Sequence, residues 1–158
     1  MQNKTREFLQ RAALSVLPVA GIALLSSFFT RIGDYWYNTL NMPAFTPPQW
    51  AFPVAWGIVY VCLMALLYIL LGDPDFPAQK LLLPGALVGA LNILWTFTFF
   101  GLHEMTAAAF VLLALLVVLI CLFFRLIATH KGAAWLLMPH ILWGIFAFAL
   151  NIGFILVN

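Results

Sequence analysis

Residues Trp36 to Tyr60 read WYNTLNMPAFTPPQWAFPVAWGIVY, a segment dense in proline and tryptophan that runs directly into an apolar span. Proline fixes its backbone angle and needs no amide partner. Pro43, Pro47 and Pro48 therefore stiffen this connection, and they are expected to hold Phe45, Trp50 and Trp56 as an aromatic lid over a membrane surface.

Outward from this segment the chain is apolar. Of its 158 residues 65% are hydrophobic and 8% charged, with a mean hydropathy of +1.07, which is outside the composition of soluble domains. About 20 apolar residues span a bilayer as a helix, and five such runs follow one another: 8–29, 51–71, 81–102, 105–127 and 133–157. A charge at mid-bilayer costs about 2.5–3.5 kcal/mol on insertion scales, and the charged residues fall almost entirely in the gaps between runs. Barrel strands would run about ten residues and alternate in polarity, which these continuous runs do not do. The sequence predicts an all-α integral membrane protein, one domain over residues 1–158. It is a bundle of five transmembrane helices with a structured Pro/Trp-rich loop between the first two. The first run is long for a signal peptide and lacks a small-x-small cleavage site, so it reads as a retained helix.

The joints around 72–77, 103–104 and 129–132 are short, which makes neighbouring helices antiparallel. Lys4, Arg6, Arg11, Lys80, Arg125 and Lys131 fall on one side of the membrane and only Arg31 on the other. Positive-inside counting then places the N-terminus in the cytoplasm and the lid and C-terminus outside. The net charge of +2 is topological, and no nucleic-acid partner is expected. Cys62 and Cys121 lie within apolar runs and read as packing residues.

Polar and indole groups inside the spans need partners there. His140, Trp143, Ala147 and Asn151 recur at helical spacing on the fifth span, Asn92 and Trp95 lie one turn apart on the third, and Trp56 and Tyr60 are an i, i+4 pair on the second. Together they would frame an aromatic pocket beneath the lid. Trp36 and Trp135 read instead as interfacial anchors, and Asn92 and Asn151 read equally as interhelical glue. His140 invites a haem-ligand or proton-relay role, but a lone histidine without a second ligand reads first as a hydrogen-bonded packing residue. His103 and His130 fall in loops and should be solvated. Gly85 and Gly89 form a G-x-x-x-G pair that would let two copies approach through the third helix, and Asn92 falls near that stripe. There is no carboxylate pair, catalytic triad, phosphate loop or zinc spacing, so no metal site and no hydrolytic chemistry are expected.

Three blocks, Trp36 to Trp56, ALNILWTFTFFG (Ala90 to Gly101) and LLMPHILWGIFAFALN (Leu136 to Asn151), together resemble the TspO/translocator protein family, also called tryptophan-rich sensory proteins. The resemblance covers nearly the whole chain. It implies a five-helix bundle, usually a homodimer, whose pocket near the first loop binds porphyrins such as protoporphyrin IX or haem as ligands, with no required cofactor. By motif position it implies pocket roles for Trp56, Asn92, Trp143 and Ala147. It also implies light- and oxygen-dependent porphyrin breakdown involving Trp56 and Trp143. Transport of porphyrin or other lipophiles, or a ligand-responsive sensor or adaptor, stays open beside binding. Two departures stand out. Pro139-His140 replaces the family's Pro-Tyr, and the sterol-associated Tyr and basic residue are absent from Asn151 to Asn158, although a reversed pattern runs from Arg31 through Tyr35 to Leu40. The missing sterol pattern points to a bacterial membrane.

Overall fold

The computed structural model describes residues Gln2 to Asn158. The helices in order are α1 (Gln2–Tyr37), α2 (Ala51–Leu71), α3 (Gln79–Thr96, continued by a π-helical turn at Phe97–Gly101), α4 (Met105–Ile127), α5 (Lys131–Trp135) and α6 (Met138–Val157). No strand occurs among the described residues. Five segments are long and apolar enough to cross a membrane, with α5 and α6 together forming the fifth. The second and fourth have the bounds expected from the sequence.

α1 is longer than expected at both ends, and residues 30–37, expected in the lid loop, are its last two turns. Nothing there stops a helix, because no proline follows until Pro43. Gly33 sits within this stretch because the packing demands it. A Cβ at Gly33 would strike the carbonyl oxygen and Cα of Phe100, so glycine is what lets α1 lie against the π turn. The lid loop is therefore residues 38–50.

The fifth span is broken where its sequence looked continuous. Pro139 has no N–H to give to the carbonyl four residues back, and its ring crowds that carbonyl. Leu136 and Leu137 instead donate to Ala133 and Ala134, three residues back, at 3.1 and 3.0 Å. α6 then starts afresh with Pro139 in its first turn, where a missing donor is harmless.

The spans close into a ring: α1 packs on α2 and α3, α3 on α4, α4 on α6, and α2 against α5 and α6. Its two halves differ. Beside the connections at 72–78 and 128–130 the interior is aliphatic, with Leu66 and Leu70 of α2 meeting Leu115, Leu119, Leu122 and Leu126 of α4 and Leu137 and Ile141 at the start of the last helix. The α4 leucines are spaced alternately by four and three, a stripe that faces one direction on a helix. Beside loop 38–50 the interior is built from rings, with Phe99 and Phe154 packed against Trp36, Tyr37, Phe52 and Phe100.

The loops are tied down. Asn41 and Asn158 exchange hydrogen bonds: Asn41 N donates to Asn158 Oδ1 (2.8 Å) and Asn158 Nδ2 to Asn41 O (3.1 Å). Thr46 N and Oγ1 both donate to the Pro43 carbonyl, at 2.9 and 2.7 Å. Both loop histidines expected to be merely solvated are engaged. His130 Nε2 lies 2.9 Å from Asp73 Oδ2. His103, at φ 61°, remains exposed but stacks on Trp36 with ring centroids 4.3 Å apart. Trp36 also meets Phe99 edge-on at 5.5 Å, so it packs within the bundle rather than serving as a lipid anchor. Trp135 does point outward, being more than half exposed.

Candidate functional site

A cavity of about 590 Å³ opens inside the aromatic half, within the 300–1,000 Å³ typical of small-molecule sites. Four spans and the lid loop line it, and α4 does not. α2 contributes Phe52, Trp56 and Tyr60; α3 and its π turn contribute Asn92, Trp95, Phe99 and Phe100; α6 contributes Trp143, Phe146, Ala147 and Asn151. A π turn inserts an extra residue into the helical register and commonly marks a functional segment. Here Leu102 N donates to Phe97 O at 2.9 Å, and the turn swings Phe99 and Phe100 into the wall.

Trp56 is the centre of the ring array. It stacks on Tyr60 (5.6 Å), tilts against Trp95 (6.0 Å) and stands nearly perpendicular to Trp143 (6.5 Å, 85°). Trp143 in turn meets Phe52 edge-on at 5.9 Å and stacks on Phe146 at 5.2 Å. Edge-to-face and offset contacts at these separations stabilise a wall by about 0.5–1.5 kcal/mol per pair beyond the area they bury.

Asn92 forms the floor, with His140 behind it. Both are 1% exposed, and the Asn92 side-chain amide lies within hydrogen-bond distance of His140, Nδ2 to Nε2 3.2 Å. His140 also meets the edge of Trp56 at 5.9 Å. It therefore sits behind the cavity, supporting Trp56 and Asn92, and does not line it. Asn151 has two roles. It lines the cavity, and its Nδ2 donates to the Met105 carbonyl at 2.8 Å, joining α6 to the start of α4.

Several polar atoms around the hollow are buried without a protein partner: Tyr37 OH, Asn92 Oδ1, Trp95 Nε1, Trp143 Nε1 and Asn151 Oδ1. In a bilayer interior such groups are costly, and their gathering around one cavity favours a ligand that carries hydrogen-bonding atoms at its edges. No cluster of three metal-ligating side chains occurs among the described residues.

Of the residues singled out in the sequence, Trp56, Tyr60, Asn92, Trp95, Trp143, Ala147 and Asn151 come together in this wall. Phe45 and Trp50 do not. The Phe45 ring tip rests over Gly153 of α6, where an added Cβ would lie 3.0 Å from it, and Trp50 projects outward with 68% of its surface exposed. Pro43 and Phe45 of the lid thus pack on the end of α6, and Gln49 is the loop residue that lines the cavity. The G-x-x-x-G pair is split. Gly89 is buried against Ile22 of α1, whose Cδ1 would lie 2.7 Å from an added Cβ, while Gly85 is open. Asn92 belongs to the cavity and not to that outer stripe. The wall from α1, namely Ser26, Thr30, Arg31, Asp34 and Tyr37, was missed. Its signal was present: Ser26, Thr30 and Asp34 recur every four residues, a polar row on one helical face.

Fold and cavity together define a class, a polytopic helical membrane protein built around an aromatic pocket. A model of the TspO/MBR family matches residues 14–157, and the chain belongs to that family. It is 34% identical over 145 residues to the tryptophan-rich protein TspO of Archaeoglobus fulgidus, covering 91% of this chain and 94% of the relative. Similarity extends to a tryptophan-rich sensory protein of Cereibacter sphaeroides (32% identity, 75% and 73% covered). It reaches the translocator protein of Homo sapiens (30% identity, 87% and 83% covered).

Proposed function

We propose that the protein is a membrane receptor for porphyrins and similar flat lipophilic molecules. The observation that carries this reading is the array of Trp56, Trp95 and Trp143 around a hollow of about 590 Å³ whose unpaired polar atoms await a partner. A planar aromatic ligand gains stacking contact on such walls. No resident cofactor is needed; protoporphyrin IX or haem is the ligand itself. Titrating the purified protein with protoporphyrin IX should perturb the Soret band saturably, and Trp143→Ala should weaken binding about tenfold, the equivalent of about 1.4 kcal/mol. A Soret band unchanged at excess protein would overturn the reading.

The closeness of Trp56 and Trp143 favours a second step under illumination. The photo-excited porphyrin takes an electron from an indole and passes it to dioxygen, giving superoxide. The indole radical cation then regains an electron from the porphyrin, and superoxide adds to the porphyrin radical cation, so the indole is restored and the macrocycle is oxidised with dioxygen as the oxidant. Undiminished light-dependent loss of porphyrin absorbance in a Trp56→Phe/Trp143→Phe double variant that still binds would refute this step. Transport and sensing are the competing outcomes: protein-dependent porphyrin flux across liposomes would favour the first, and a ligand-dependent protein partner the second.

The proposal includes a homodimer through α3. With Gly89 occupied by Ile22, the outward small residues are Gly85, Ala86 and Ala90, and Ala86→Trp should shift the mass of the detergent complex to one copy. It also includes a bacterial membrane with the N-terminus cytoplasmic, which accessibility labelling of Lys4 and Asn158→Cys would check.

A further inference from the structure

The cavity is not closed all round. α1 and α2 are held together near the 72–78 connection, where Phe8 meets Tyr68 edge-on at 6.2 Å and the Arg11 guanidinium lies 3.7 Å over the Tyr68 ring. Towards loop 38–50 the cavity reaches the surface between them. There its lining residues Ser27, Thr30, Arg31 and Asp34 of α1 and Gln49 and Pro53 opposite are exposed, whereas Asn92, Thr96, Phe99 and Ala147 deeper in are buried. The site is graded, with aromatic and apolar groups inside and polar groups at the mouth.

Arg31 is the cation on this rim. It lies six residues before the end of α1, so about 9 Å of helix separates it from the loop. It makes no hydrogen bond and no ion pair with any described residue. Asp34, three residues on, is also without a side-chain partner, and no ion pair joins the two. An uncommitted guanidinium at the edge of a low-dielectric hollow is a strong attractor for a planar anion, because its fork matches a carboxylate with two parallel hydrogen bonds. Arg31 also has the reach to meet a group at the mouth, while Asp34 repels a second acid placed on its own side.

Resting on the pocket reading above, we infer that Arg31 binds a carboxylate carried on one edge of the ligand, so that the ligand lies with its apolar plane among the tryptophans and its acid at the α1–α2 opening. The site then selects flat lipophiles with an acidic edge over neutral ones of the same shape. Asp34 limits that selection by opposing acids that spread beyond Arg31.

Paired titrations in one neutral detergent test this, using protoporphyrin IX and its dimethyl ester, which share the macrocycle and differ in charge. The wild-type protein should bind the acid about tenfold more tightly relative to the ester than Arg31→Gln does, the range of a charge-assisted hydrogen bond at a partly exposed site. Ester affinity should be the same in both, Arg31→Lys should keep part of the preference, and Asp34→Asn should increase it. Equal acid-to-ester ratios in wild type and Arg31→Gln would overturn the inference while leaving the pocket standing, as would an Arg31→Gln variant that weakens both ligands alike. Binding of neither ligand would overturn the pocket reading and this inference with it.

Discussion

The two halves of this bundle solve opposite problems with the same five helices. In the half beside 72–78 and 128–130, Leu70, Leu115, Leu119 and Leu137 are fully buried and fill the space between helices. In the half beside loop 38–50, large rings stand against one another and leave a hollow. Aliphatic chains adapt their rotamers until gaps vanish, and in lipid this close packing is what holds helices together. Rigid rings meeting edge-on keep each other at fixed separations, so a space among them survives. One half supplies stability and the other holds a site, and neither role is spread evenly through the fold.

The sharpest way to break that division is truncation in the packed half. Leu115→Ala removes a side chain with no exposed surface and should lower unfolding stability by about 2–5 kcal/mol, read as a lower thermal midpoint in detergent with porphyrin affinity per folded molecule retained. Next in size is Gly33→Ala, which tests whether the hollow half is uniformly soft. Its new methyl meets Phe100 backbone, which cannot rotate away, so a loss of about 1–3 kcal/mol is expected. Gly89→Ala meets only the Ile22 side-chain tip and should cost less.

A smaller effect on stability, with a large one on binding, is expected at Ala147, which lines the cavity. Ala147→Phe fills empty space, so the thermal midpoint should shift by less than about 1 kcal/mol equivalent while porphyrin titration loses its saturable phase. Retained binding would mean that the ligand lies elsewhere. The smallest effect is electrostatic and belongs to the packed half's loops. The Asp73 carboxyl is held below its ordinary value of 3.8 by the Asp75 backbone N–H first and His130 second. A depressed carboxylate contributes stability that is present above its unfolded pKa and is lost as the pH falls through its folded one. Wild type should therefore lose slightly more of its thermal midpoint on acidification through the carboxylate range than Asp73→Asn does.

Much of the site was legible because its residues interrupt apolar spans. Trp56, Tyr60, Asn92, Trp95, Trp143 and Asn151 stand out in runs of leucine, alanine and phenylalanine, and their helical spacing places each set on one face. His140 stood out equally and lies one layer behind, since spacing gives direction around a helix but not depth from a cavity. Phe45 and Trp50 were drawn in by their place in the lid loop, but Phe45 packs on Gly153 with Pro43 and Trp50 faces outward. The phenylalanines of the π turn carried no signal of their own in an apolar run, because their direction is set by the π turn that follows α3 and by the close approach of Gly33 to the Phe100 backbone.

Membrane residence, the number of spans and the stiffness of the first loop were set by composition and run length alone, because the bilayer acts as a solvent that each segment meets independently of the others. Tertiary structure decided which faces look inward, where α1 ends, that Gly89 is used within the chain and that Arg31 stands at the mouth of a hollow. Those outcomes depend on which helix lies beside which, and the ring order of the bundle is a property of contacts between segments that no single segment carries.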